Sequence, residues 1–137
     1  MRGRGVVVRE DVCQVRCFKA DVVAKLREEQ PGEEDIQGAQ RFLAALADGA
    51  RLRILRALRD GQELCVCDVT HVLGIRFATA SHHLRKLRDL DILACRIEGK
   101  MAYYSLRDPA AAELAERALA IVGNAQPGRA RRPAALR

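Results

Sequence analysis

Five cysteines fall among 137 residues. They form two close pairs, Cys13 with Cys17 and Cys65 with Cys67, and leave Cys95 alone. Residues 1–10 carry arginines but only a three-valine apolar run, too short for a secretory core. The chain is therefore expected in the cytoplasm, with reduced thiols. Two vicinal pairs separated by a folded stretch then read as metal ligands rather than disulfide partners. Thiolate sulfur is a soft donor. Tetrahedral sulfur sites suit zinc and cadmium, and sulfur-rich sites in general select soft ions over magnesium or calcium. Lead or trivalent arsenic would need fewer sulfurs.

Spacing decides where each pair can work. Residues two apart do not share a helix face, so Cys65 and Cys67 can serve one ion only from a helix start. There Cys65 takes the N-cap region and Asp68 the third helical position, where a carboxylate favours the helix dipole. A helix N-terminus also lowers a thiol's pKa and so favours the thiolate. Cys13 and Cys17, four apart, share a face if helical. The expected metal ligands are Cys13, Cys17, Cys65 and Cys67, with Cys65 or Cys13 the weaker member and Arg16 and Lys19 offsetting the negative charge. Cys95 alternates with Leu93 and Ile97 on one strand face and is expected to pack in the core.

The elements that must position these groups are mostly helical. Hydrophobic residues make up 49% of the chain but aromatic residues only 4%, with no Trp, so the core must be aliphatic. Apolar spacing predicts helices over about 18–29, 34–47, 50–59, 65–73 and 78–90, punctuated at Pro31-Gly32, Asp48-Gly49, Asp60-Gly61 and Gly74. The fourth and fifth, joined by a tight connection, are a helix-turn-helix pattern whose second member is polar and basic on one face. The period then switches to two. Residues 93–98 and 101–106 alternate about Gly99-Lys100 and predict a β-hairpin. Asp108 as N-cap and Pro109 at the first helical position open a last, Ala-rich helix to about Val122. Such a helix needs a surface to pack on, and a second copy of the chain is the natural one. The expected fold is mainly α with a small β-hairpin (α+β). Residues 1–32 form an arm with the cysteine pair and a short helix, 33–122 the folded domain, and 123–137 a basic tail expected to be disordered.

The net charge of +6 suggests a polyanionic partner. On the basic helix Ala78, Thr79, Ser81 and His82 are candidates for base contacts, and Arg76, Arg85, Lys86 and Arg88 for phosphate contacts. Of His82 and His83, one would contact phosphate and the other pack. Arg96 and Lys100 stand on the hairpin, where they could reach the DNA backbone or the adjacent minor groove. No stretch approaches a membrane span. No Gly-rich phosphate loop is present, nor a Cys-x-x-Cys pair in a βαβ context, so neither an enzyme nor an organic cofactor is expected.

Three segments in the right order resemble the ArsR/SmtB family of metalloregulatory repressors. Residues 63–69, Glu-Leu-Cys-Val-Cys-Asp-Val, are similar to its metal-binding box. Residues 80–87, Ala-Ser-His-His-Leu-Arg-Lys-Leu, are similar to its recognition helix. Residues 99–106, Gly-Lys-Met-Ala-Tyr-Tyr-Ser-Leu, are similar to the returning strand of its wing. The likeness covers roughly 34–122. The N-terminal Cys13/Cys17 pair resembles that of the cadmium/lead/zinc sensor branch. The resemblance implies a homodimeric winged helix-turn-helix on double-stranded operator DNA, with the N-terminal pair of one subunit joining the helix pair of the other around a soft divalent ion. Some relatives carry a second site on the last helix; here Asp108 matches, but Ala110, Ile121 and Asn124 stand at its other positions, so no zinc site is expected there. On this reading metal binding releases the operator. An arsenic(III)-responsive or a thiol-redox or persulfide-responsive repressor of the same fold is the alternative. A structural zinc site and a metal buffer are further rivals.

Overall fold

The structure, a computed structural model, describes residues 19–125. The calls on Cys13, Cys17, the basic arm and the C-terminal tail lie outside them. Two compact units divide the chain, residues 1–36 and 37–137. In the first, helix α1 (Ala20–Glu28) buries none of its residues, and Val22 and Leu26 stand exposed. Helix α2 (Glu33–Leu46) crosses the division and buries Ala45 and Leu46 near its end.

The second unit is built from α3 (Gly49–Ala57), a 3-10 turn (Arg59–Gly61), β1 (Leu64–Cys65), α4 (Val66–Leu73), α5 (Phe77–Asp89), β2 (Leu93–Glu98), β3 (Met101–Leu106) and α6 (Ala110–Ala125). Local chemistry sets the ends. The Asp48 carboxylate caps α3 by accepting the Arg51 N–H at 3.0 Å. Gly74 closes α4 in the left-handed region at φ 66°. Asp91, at φ 59°, takes the same role after α5, and the Ile92 N–H reaches back to the Leu87 carbonyl. Asp108 Oδ1 accepts the Ala110 N–H at the start of α6.

The core is aliphatic, as composition required. Ile54, Leu55 and Leu58 of α3, Val69 of α4, and Ala80, Leu84 and Leu87 of α5 meet Leu93 of β2, Tyr104 of β3, and Ala111 and Ala115 of α6. The helices fall within two residues of their expected limits. Three readings need correction. The metal-box helix begins at Val66, not Cys65, because Cys65 belongs to a short strand that the periodicity missed. The sheet therefore has three strands, in order β1-β3-β2, rather than two. Leu90, expected to point inward, is 38% exposed because α5 ends before it.

Candidate functional site

Cys65 belongs to two elements at once. Its backbone pairs with Tyr103 across β1 and β3, while Leu64 pairs with Tyr104. It is also the N-cap of α4. Asp68, one turn on, accepts the Cys65 N–H at 3.0 Å and the Cys65 thiol proton at 3.2 Å through the same Oδ2. These two bonds, the backbone one first, hold the Asp68 carboxyl below its usual range. The thiol is buried, 6% exposed, whereas Cys67 at the second helical position is exposed. Cys67 is thus open to an incoming ion. Cys65 must give up a proton and its Asp68 bond before it can ligate.

Among the described residues no group of three His, Cys, Asp or Glu side chains is placed to hold a metal ion. The box supplies two sulfurs at a helix N-terminus, which suits a soft cation in donor type but is short of tetrahedral closure. Cys95 is partly buried against the core, opposite Tyr104 on β3. Burial first, and Cys95 next, push the Tyr104 hydroxyl pKa up. His71 is exposed on α4. Asp108, the one match to the second metal site of the family, spends its carboxylate on capping α6.

Helix α5 buries Ala80, Leu84 and Leu87 and turns its other faces outward. Ala78, Thr79, His82, Arg85 and Lys86 are exposed, as is Arg76 at the N-cap, while Ser81 and His83 are half-buried. The rings of His82 and His83 meet edge to face at 5.7 Å. Arg88 is engaged by its neighbour Asp89 at 2.9 Å, which raises its pKa. Phe77, read from sequence as part of the connection, is instead the first residue of α5 and is 56% exposed. Lys100 is exposed at the hairpin turn.

Arg96 is differently placed. Its guanidinium grips Glu63, Nη2 to Oε1 at 2.6 Å and Nε to Oε2 at 3.2 Å, and also bonds Glu98. It lies 4.8 Å from the Tyr103 ring centroid. These carboxylates raise the Arg96 pKa, and the Arg96 bond in turn lowers that of Glu63. Sequence reasoning did not single out Glu63, since only the unforeseen pairing of β1 with β3 brings it to the hairpin.

A last feature is apolar. Leu114, Leu119, Ile121 and Val122 of α6 and Leu43 of α2 are 43–62% exposed. A cavity of about 350 Å³ between the two helices is lined by Leu43, Leu46, Leu52, Leu114, Ala118 and Ile121, among others.

Comparison with known proteins bears on all of these features. The family model described as bacterial regulatory protein, arsR family, matches residues 48–94. The cadmium resistance transcriptional regulatory protein CadC homolog of Staphylococcus aureus is 39% identical over 109 residues, covering 80% of this chain and 89% of that one. The crystal structure of the antimony-specific transcriptional repressor AntR superposes with a TM-score of 0.63 at 26% identity, over 71% of this chain and 89% of that one. A homodimeric winged helix-turn-helix DNA-binding domain from Mycobacterium bovis gives a TM-score of 0.61 at 26% identity, over 75% and 96% of the two chains.

Proposed function

The chain belongs to the ArsR family of bacterial regulatory proteins, and we propose that it is a homodimeric repressor which leaves its operator when a thiophilic ion, cadmium, lead or zinc, binds at cysteine thiolates. The observation that carries this reading is the position of the Cys65–Cys67 box. It begins α4, the first helix of the DNA-reading pair, and so any ion drawn to it acts on the element that supports α5.

In this reading Cys67 captures the ion first, being exposed, and Cys65 follows after leaving Asp68. Cys13 and Cys17 of the partner subunit complete the sulfur set. Exposed Thr79, His82 and Ala78 with half-buried Ser81 approach base edges in the major groove. Arg76, Arg85, Lys86 and His83 bind along the phosphates, and Lys100 extends the contact from the wing. The apolar faces of α2 and α6 meet their copies across a two-fold axis, so the operator is an imperfect palindrome. The ion must favour the DNA-free conformation, and DNA must then weaken the ion's binding by the same factor.

The test begins with a duplex selected from a random library by the metal-free protein. Fluorescence anisotropy on that duplex is then followed during titration with cadmium, lead, zinc and arsenite. Release by cadmium, lead or zinc, lost in Cys67→Ser, supports the proposal. Release by arsenite alone, or by oxidant alone, moves the inducer to trivalent arsenic or to thiol oxidation. No release by any of them ends it.

A further inference from the structure

The metal box and the wing are joined by more than chain connectivity. We propose that Glu63 and Arg96 are positioning residues which carry metal occupancy of the cysteine box into the wing. The inference rests on the metal-repressor reading above and specifies a route through which that site is read out.

In the three-stranded sheet, Cys65, Tyr103 and Arg96 stand in one row, because Tyr103 on the central strand pairs with Cys65 on one side and Arg96 on the other. Glu63, just before β1, reaches over that central strand to Arg96 on β2. The two outer strands are thus cross-linked by a two-pronged guanidinium–carboxylate contact, with the guanidinium packed on the Tyr103 ring. A single exposed ion pair adds little to stability. This one has value of another kind, because a two-point contact fixes direction as well as distance. With Glu63 on one side and Glu98 on the other, the Arg96 charge is balanced inside the protein.

Ligation of Cys65 requires its sulfur to leave the Asp68 oxygen, and so displaces residues 63–65. The displacement has two ways into the hairpin: the backbone pairing of β1 with β3, and the side-chain link from Glu63 to β2. Both end on strands that meet at Gly99-Lys100, the turn that carries the exposed wing lysine. Moving β2 and β3 together re-aims that turn.

The chain has two tyrosines and no Trp, and both tyrosines sit on β3 opposite β1. Intrinsic emission therefore reports on the wing alone. The experiment compares full-length parent, Glu63→Gln and Arg96→Gln, each titrated with cadmium chloride. It follows thiolate absorbance, tyrosine emission and affinity for the selected duplex. Expected for the parent is a change in emission that saturates with the thiolate band, and duplex affinity weakened within the roughly 5- to 150-fold range of allosteric couplings. In Glu63→Gln the thiolate band and the metal-free duplex affinity persist, while most of the emission change and of the cadmium-induced weakening disappear. Full weakening retained in Glu63→Gln overturns the inference. So does a loss of metal-free duplex affinity in Arg96→Gln as large as in Lys86→Ala, since Arg96 would then be a DNA contact. If the parent itself binds cadmium without releasing DNA, the repressor reading fails, and this inference with it, before any variant is compared.

Discussion

Replacing Ile121 by Ala should separate dimerisation from folding. Ile121 lies on α6 and is 62% exposed in the single chain, so its truncation removes little from the monomer core, and Ala is the best helix former. Three carbons are lost. At about 0.8 kcal/mol per buried CH₂, and with about 62% of the side chain left for a partner to cover, each copy loses about 1.5 kcal/mol. A two-fold interface repeats every contact, so the dimer loses about 3 kcal/mol, roughly a hundredfold in its dissociation constant. Sedimentation equilibrium across a concentration series measures this directly. Far-ultraviolet circular dichroism checks that the helices persist. Val72→Ala is the comparison, because Val72 is equally exposed at 62% but lies on α4, off the proposed face. The reasoning is refuted if Ile121→Ala dimerises as tightly as the parent, or if Val72→Ala weakens the dimer by as much.

Three further outcomes are expected. Under limiting iodoacetamide the exposed Cys67 should alkylate well before the buried, Asp68-bonded Cys65; peptide mass spectrometry showing equal rates would remove the distinction between the two thiols. Lys86→Ala should weaken duplex binding uniformly across sequences and lower the slope of log affinity against log salt by about one, the signature of a single phosphate contact; an unchanged slope would place Lys86 off the DNA. Asp48 has its pKa lowered from 3.8, first by the Arg51 N–H bond, so the stability it contributes is present above the unfolded-state pKa and is lost as pH falls through the lower folded value. Asp48→Ala should accordingly cost about 1 kcal/mol at pH 7 in urea unfolding, with the gap to the parent closing below about pH 3; a gap that does not depend on pH would mean that the carboxylate charge is not what caps α3.

What was legible in the sequence follows from the range of each signal. Helix periodicity and caps are local, so α3, α5 and the Asp108-Pro109 start of α6 could be placed from a few residues each. The alternation of 93–98 with 101–106 about Gly99-Lys100 is also local, and the hairpin register confirms it. Cys65 at the N-cap with Asp68 one turn on was readable because two-residue spacing rules out a shared helix face. Strand β1 was not readable: two residues give no period, and their partner lies about 40 positions away. The same distance hid the Glu63–Arg96 contact, so Arg96 read from sequence as a free wing cation. The outward apolar residues of α6 were counted correctly as hydrophobic, but the sequence alone did not show that the inward side of that helix is lined by Ala111, Ala112 and Ala115. Small residues let α6 approach the core closely and leave its larger side chains for another surface.

That division of labour bears on how one ion could disturb a DNA complex. Helix α4 has few internal degrees of freedom. Val69 is fully buried at its centre, Gly74 fixes its end, and Cys65 ties its start to the sheet. A short helix pinned at three points responds to a pull at its N-terminus by moving as a body rather than by unwinding. Helix α5 shares its core, and β3 shares Cys65's backbone pairing. A displacement at the box therefore reaches both the reading helix and the wing. Typical couplings of this kind amount to about 1–3 kcal/mol, a range that one or two misplaced phosphate or base contacts in each half-site would match. On these grounds the metal need not unfold anything: a shift that spoils a few contacts in each half of a symmetric dimer is sufficient for release.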